Sequence, residues 1–158
     1  GRSTMPLPYR IALWLGVHTM PGNRVTGRGL GIIPSDNIEM LRALGRDPYV
    51  IKETRVDALY GLVNLMDEAL AASPALRTPS LVLYGGRDEI IPRPPTIRML
   101  EDFGAPHRVV LYAEGYHMLL RDLQAEVVWR DIAAWIDNAA APLPSGGEID
   151  RPELLAQR

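Results

Sequence analysis

Ser80-Leu81-Val82-Leu83-Tyr84-Gly85-Gly86-Arg87-Asp88-Glu89-Ile90-Ile91-Pro92 is the stretch on which the reading of this chain turns. A short apolar run that ends on two glycines reads as a buried strand entering a sharp turn. Just beyond it, Pro94 and Pro95 can open a helix that continues through Met99 to Phe103, and Gly104 suits its C-terminal cap. Arg108 to Tyr112 is a second strand. Strand, helix and strand within this length form a βαβ unit, so the two strands are expected to be parallel neighbours. A final helix follows, with Val128, Ile132, Trp135 and Ile136 on one stripe. From Ala140 onward, Pro142, Pro144, Gly146 and Gly147 suggest a loose end. Parallel sheets are normally covered on both faces and seldom have only two strands, so the expectation is part of a larger α/β fold.

Upstream the pattern is helical. Tyr9 to Met20 is long and apolar on more than one face, as in a helix that is buried or faces something apolar. Pro21 to Pro34, with Gly22, Gly27, Gly29 and Gly31, reads as a loop unable to hold a regular element. Asp36 with Glu39 is a capping-box variant that opens a short helix ending near Gly45. Thr54 with Asp57 opens a longer one, in which Val56, Leu59, Tyr60, Val63, Met66 and Leu70 recur at helical spacing before Pro74. The expected organisation is a helical region over residues 1–75, strands and helices over 76–139, and a flexible tail over 140–158.

The composition narrows the function classes. Of 158 residues, 47% are hydrophobic and 23% charged, with a net charge of -2, which fits a soluble globular domain. That balance argues against nucleic acid as a partner, because phosphate binding needs clustered, uncompensated Lys and Arg. No cysteine is present, which excludes disulfides, thiolate metal sites and a cysteine nucleophile while leaving the redox compartment open. The three histidines are scattered without metal-ligand spacing, so no metal and no cofactor is expected. The apolar run Ile11 to Val17 falls well short of the roughly 20 residues a membrane-spanning helix needs. Because the chain begins with Gly1 rather than Met, the lack of a signal peptide carries little weight, and a missing natural N-terminus is the expectation. A cytoplasmic location is favoured without being fixed.

In a βαβ unit the loops after both strands emerge at the same sheet edge, where ligands of open α/β sheets bind. One loop carries Asp88 and the other, Ala113-Glu114-Gly115-Tyr116-His117, carries His117. Adjacent strands lie about 4.8 Å apart, so carboxylate and imidazole are within reach of each other. An Asp bonded to one ring nitrogen fixes the tautomer and frees the other nitrogen to take a proton from a hydroxyl nucleophile. The competing reading, in which Asp88 caps its turn and His117 is an ordinary loop histidine, stays open on these grounds.

Pro79 to Pro92 also resembles the late strand, glycine turn and acid loop of the α/β-hydrolases. The similarity is greatest to the monoglyceride lipase, lysophospholipase and serine aminopeptidase-like branch. Gly115-Tyr116-His117-Met118-Leu119-Leu120 resembles that branch's histidine loop, and Pro34-Ser35-Asp36-Asn37 and Arg46-Asp47-Pro48 resemble its cap region. The resemblance covers most of residues 5 to 138. It implies that Asp88 is the acid and His117 the general base of a catalytic triad. It further implies an eight-stranded, mostly parallel sheet under a helical cap, of which this chain would hold the cap and the last two strands. The chain departs from the family at the nucleophile, a Gly-x-Ser-x-Gly elbow. None of Ser3, Ser35, Ser73, Ser80 and Ser145 has glycine at both flanking positions. Ser3 comes nearest, but no strand is expected before it, and Pro6 and Pro8 follow where a helix should start.

The remaining candidates read as structural. His18 lies in an apolar helix, where a satisfied buried histidine is expected, with substrate contact as the alternative. His107 precedes its strand and falls at the edge opposite Asp88. Glu89 is expected to be solvated beside Asp88. Trp14 and Met20 suit core packing as well as an acyl-binding surface. Gly27-Arg28-Gly29-Leu30-Gly31 lacks the preceding strand of a phosphate loop. The resulting expectation is an incomplete serine hydrolase of carboxylic (acyl) esters such as a monoacylglycerol or lysophospholipid, with its serine outside these residues. Its greasy cap would allow peripheral membrane contact, and its oligomeric state is left open. A rival from another class is a non-catalytic module that binds a lipid or a partner's sheet edge. Within the fold, an epoxide hydrolase or dehalogenase is the alternative.

Overall fold

The computed structural model describes residues 1–152 and Leu155, with Ser3 described by its backbone alone. Two compact units result: Gly1–Gly31 with Gly45–Ser73, and Ile32–Leu44 with Pro74–Arg158.

The first unit is built on two helices, α1 (Leu7–Thr19) and α3 (Val56–Ala72). Helix α1 starts two residues before the expected position, because Pro8 falls in the first turn, where a missing N–H costs no intrahelical bond. The two helices pack together, and a side chain at Gly16 would come within 3.1 Å of Val56. Val56 and Val63 are buried on α3, whereas α1 has no buried residue. Its Leu7, Tyr9, Ile11 and Trp14 are 50% or more exposed, so the apolar character read from the sequence lies largely at the surface. The loop expected over residues 21–34 does hold a short element. Strand β1 (Arg24–Val25) pairs antiparallel with β2 (Thr54–Arg55), so Thr54 belongs to a strand and Arg55 is the residue that precedes α3. Arg55 is ion-paired with Asp57 at 2.6 Å, and Val56 donates its N–H to the carbonyl of Asn23.

The second unit contains the βαβ unit. Strands β3 (Ser80–Gly85) and β4 (His107–Tyr112) run parallel, in register from Ser80 beside His107 to Gly85 beside Tyr112. Helix α4 (Arg93–Glu101) crosses between them and α5 (Ala125–Asp137) follows. Because side chains alternate along a strand, Tyr84 and Val109 share a face. There they form a core cluster with Leu100 and Leu155, joined by Val82, Ile91, Ile97 and Leu111. Leu100 is 2% exposed, and burying such a side chain contributes about 1.5–3 kcal/mol. The stripe expected on α5 is only partly right. Val128 is buried along with Ala125 and Asp131, but Ile136 is exposed.

Past Ala140 the described residues include a short strand and two buried leucines. Strand β5 (Glu148–Ile149) pairs antiparallel with β4, giving a three-stranded sheet of order β3-β4-β5. Leu143 and Leu155 are buried, and Arg108 donates to both carboxylate oxygens of Glu148 at 2.7 and 2.6 Å. Helix α2 (Ile38–Arg46) begins within the second unit. Asn37, not Asp36, caps it: the Asn37 side-chain oxygen accepts the Met40 N–H at 3.1 Å. Asp36 instead accepts the N–H of Leu123 at 2.8 Å. No helix among the described residues is long and apolar enough to cross a membrane.

Candidate active site

The loops after β3 and β4 meet at the carboxyl edge of the sheet. Gly85 and Gly86 permit this through their missing Cβ atoms, since neither has a positive φ. A Cβ on Gly85 would lie 2.5 Å from the Tyr116 carbonyl oxygen and 2.7 Å from that of Gly115. One on Gly86 would lie 2.5 Å from the Ala113 carbonyl oxygen. The glycines therefore serve a close approach of two backbones, in addition to the turn that the Asp88 N–H closes onto the Gly85 carbonyl. Gly86 donates to the Tyr112 carbonyl and Arg87 to that of Gly115, both at 2.8 Å, which stitches the loops together.

Asp88 sits in a framework of backbone donors. Its Oδ1 accepts the N–H groups of Ile90 at 2.7 Å and Ile91 at 3.0 Å, and Tyr84 donates its hydroxyl to the Ile91 carbonyl at 2.6 Å. The Tyr84 phenol is shifted above its ordinary pKa first by burial and then by the nearby Asp88 charge. The other oxygen, Oδ2, meets Nδ1 of His117 at 3.0 Å. A carboxylate only accepts, so Nδ1 carries the proton and Nε2 of the neutral ring is left with its lone pair. Among the described residues Nε2 has no hydrogen-bond partner. The Asp88 side chain is 7% exposed and that of His117 36%, so the acid is shielded while the imidazole is reachable. Asp88 both closes its turn through Oδ1 and pairs with His117 through Oδ2.

The neighbouring side chains are otherwise engaged. Glu89 takes the Ile33 N–H at 3.4 Å and is not paired with Asp88. Arg87 is ion-paired with Glu114 and donates to the Tyr116 hydroxyl at 3.1 Å, and Arg93 donates to the Gly86 carbonyl. These bonds, the Tyr116 one first, hold the Arg87 guanidinium above its ordinary pKa. An open groove of about 870 Å³ runs beside Asp88, lined in part by Ile33, Gly86, Arg93, Tyr116 and Leu155. His107 stands first on β4, at the opposite end from Asp88, with Nδ1 on the Ala105 carbonyl at 3.0 Å. His18 is satisfied but not buried: its exposed ring bonds the Trp14 carbonyl at 2.7 Å. Among the described residues no three His, Cys, Asp or Glu side chains cluster as metal ligands would.

One part of this arrangement went unread in the sequence. Asp122, 6% exposed, accepts the Tyr116 N–H at 2.8 Å through Oδ2 and the Ser35 hydroxyl at 2.6 Å through Oδ1. Residues 34–37, read from the sequence only as a helix start at Asp36 and as part of the family resemblance, thereby lace onto the histidine loop. Periodicity carries no trace of such single bonds between distant residues.

Comparison with known proteins identifies the family. The family model described as serine aminopeptidase, S33, matches residues 1–124. The chain belongs to that family. A monoacylglycerol lipase of Mycolicibacterium smegmatis is 30% identical over 129 residues, covering 72% of this chain and 44% of the relative. The crystal structure of Paleococcus ferrophilus monoacylglycerol lipase matches with a TM-score of 0.67 at 21% identity, covering 84% of this chain and 52% of that one. This chain thus spans about half the length of the relatives it matches. In this serine aminopeptidase family member the parallel pair β3–β4 and its flanking helices form part of an α/β-hydrolase fold, as the acid and histidine loops led one to expect.

Proposed function

We propose that this chain supplies the acid and the general base of a serine hydrolase that cleaves acyl esters. Asp88 orients His117 through Nδ1. His117 Nε2 takes the proton of a serine hydroxyl as the serine oxygen adds to the ester carbonyl, then returns it to the leaving alcohol, which yields an acyl-enzyme. Water, deprotonated by the same nitrogen, attacks the acyl-enzyme; the carboxylic acid leaves and the serine regains its proton. The serine comes from a segment outside the 158 residues, because no Gly-x-Ser-x-Gly is present in them. The single observation that carries the reading is the 3.0 Å Asp88–His117 bond at the carboxyl edge of the parallel strands, with Nε2 unengaged. Monoacylglycerol-like or lysophospholipid-like esters are the proposed substrates: the Mycolicibacterium smegmatis relative, a monoacylglycerol lipase, supports the first, and the exposed apolar residues of α1 suit either, as well as peripheral contact with a lipid surface.

The test has two arms. The purified 158-residue chain is expected to leave a short-chain p-nitrophenyl ester unhydrolysed; turnover blocked by a serine-directed inhibitor would overturn the placement of the nucleophile. In a protein that also carries the serine segment, Asp88→Asn is expected to lower kcat by about 10⁴-fold. Unchanged activity there would remove Asp88 from the reaction. A second reading rests on β3, whose outer edge has no neighbouring strand among the described residues: a non-catalytic module that pairs through that edge. A defined, well-folded complex with no esterase activity in any longer form would favour it.

A further inference from the structure

We infer that Asp122 is a positioning residue for His117, held in that role by Ser35. The inference rests on the catalytic reading of His117 and deepens it. His117 is bracketed by two backbone donors. On one side the Tyr116 N–H is held by Asp122 Oδ2 at 2.8 Å; on the other the Met118 N–H is held by the Pro34 carbonyl at 3.0 Å. Both straps converge on residues 34 and 35, because the second oxygen of Asp122 receives the Ser35 hydroxyl at 2.6 Å. Ser35 is 0% exposed and its oxygen also accepts the Asn37 N–H at 3.1 Å, so its hydroxyl hydrogen has one direction to go.

A buried carboxylate is costly unless its oxygens are bonded, and Asp122 has both oxygens in use. Charge-assisted bonds of this kind are roughly twice as strong as neutral ones. The imidazole itself is 36% exposed, so its aim is set less by packing around the ring than by the backbone on either side. The Tyr116 N–H lies in an irregular loop, outside the ladder of β4, and has no strand neighbour to satisfy it. Without the Asp122 carboxylate the Gly115–Tyr116 peptide is held only at its carbonyl end, by the Arg87 N–H at 2.8 Å, so its amide end can tilt and carry His117 away from Asp88. Two further bonds brace the same loop without touching residues 116–118: Leu123 N–H to Asp36, and the Asn37 side-chain amide to the Arg121 carbonyl.

The readout is the tautomer of the neutral His117 ring, followed by two-dimensional ¹⁵N–¹H imidazole spectra of the 158-residue chain, which has three histidines. In the unmodified chain the Nδ1–H form is expected. Asp122→Ala is expected to lower the ratio of Nδ1–H to Nε2–H by about tenfold, in the range of one hydrogen bond's net contribution, and to approach the spectrum of Asp88→Asn. Asp122→Asn is expected to rescue it, since an amide oxygen still accepts from Tyr116 and the amide nitrogen can donate to Ser35. Asp36→Ala is expected to leave the ring unchanged, although it loosens the same loop. An Nδ1–H population in Asp122→Ala equal to that of the unmodified chain overturns the inference, as does an equal loss in Asp36→Ala. If Asp122→Ala does not fold, Ser35→Ala decides in the same way, with an unchanged ring counting against. Failure of the catalytic reading would look different: in a protein with the serine segment, His117→Ala would leave ester hydrolysis intact while the tautomer results still held.

Discussion

Replacing Gly85 by alanine puts the meeting of the two loops to the test. The added Cβ would stand 2.5 Å from the Tyr116 carbonyl oxygen and 2.7 Å from that of Gly115, where 3.4 Å begins ordinary contact. Both opposing atoms are backbone, so no side chain can turn aside and the loops must part by roughly 0.9 Å to regain an unstrained contact. The same movement would stretch the 3.0 Å bond between Asp88 and His117 to about 4 Å, outside hydrogen-bond range. Overpacking of this kind costs about 1–3 kcal/mol. For a chain of this length that lowers Tm by roughly 2–12 °C. Thermal melts followed by circular dichroism measure the first effect and imidazole spectra the second. Gly61→Ala is the control of opposite sign. Gly61 lies inside α3 with nothing within 4 Å of its would-be Cβ, so alanine there is expected to stabilise by about 0.5–1 kcal/mol. A Gly85→Ala chain that melts within about 1 °C of the original, with the His117 signals unmoved, would refute the close-approach argument.

Two other outcomes follow from the sheet's other face and edge. Asp131 is 0% exposed and accepts the Tyr112 hydroxyl at 2.7 Å and the Ser145 N–H at 2.8 Å, so Asp131→Ala strands two donors and is expected to cost about 2–4 kcal/mol in urea unfolding. In that variant the Tyr112 phenol, held above its ordinary range by burial first and the Asp131 bond second, should titrate at lower pH by absorbance; a loss under about 1 kcal/mol with no change in the phenol counts against the assignment. Glu148 is held below its ordinary pKa chiefly by the bond from Arg108, so the pair stabilises the fold above the unfolded glutamate value of about 4.3 and loses that contribution as pH falls through the folded value. Because the Glu148 side chain is 38% exposed, solvent screening limits this to about 1 kcal/mol or less. The stability gap between the chain and Glu148→Gln should be present at neutral pH and close in acid; a pH-independent gap would show that the charge pair is not its source.

Much of the second unit was legible because its signals are local. An unbroken apolar run, two glycines and two prolines mark a strand, its end and the next helix without reference to any distant residue. Parallel pairing then follows from the connection between the strands, and the shared edge of Asp88 and His117 from the pairing. The first unit was legible in its helices but not in its exposure. Hydrophobicity places residues such as Tyr9, Ile11 and Trp14 on a helix, yet whether something covers them depends on what packs there, and half or more of each residue is exposed. Arg24–Val25 and Thr54–Arg55 pair over two residues each, too short for alternation to register.

By itself, then, the sequence determined the helices, the two parallel strands and the loop positions of an acid and a histidine, since chain-local periodicity and steric punctuation suffice for those. Tertiary structure alone decided that Asp88 and His117 stand 3.0 Å apart, that Gly85 is needed for closeness more than for conformation, and that β5 pairs along the outer edge of β4. It alone joined Ser35 to Asp122 across 87 positions. Such contacts are single hydrogen bonds or single clashes between remote residues, and their energy depends on distances that no pattern along the chain records.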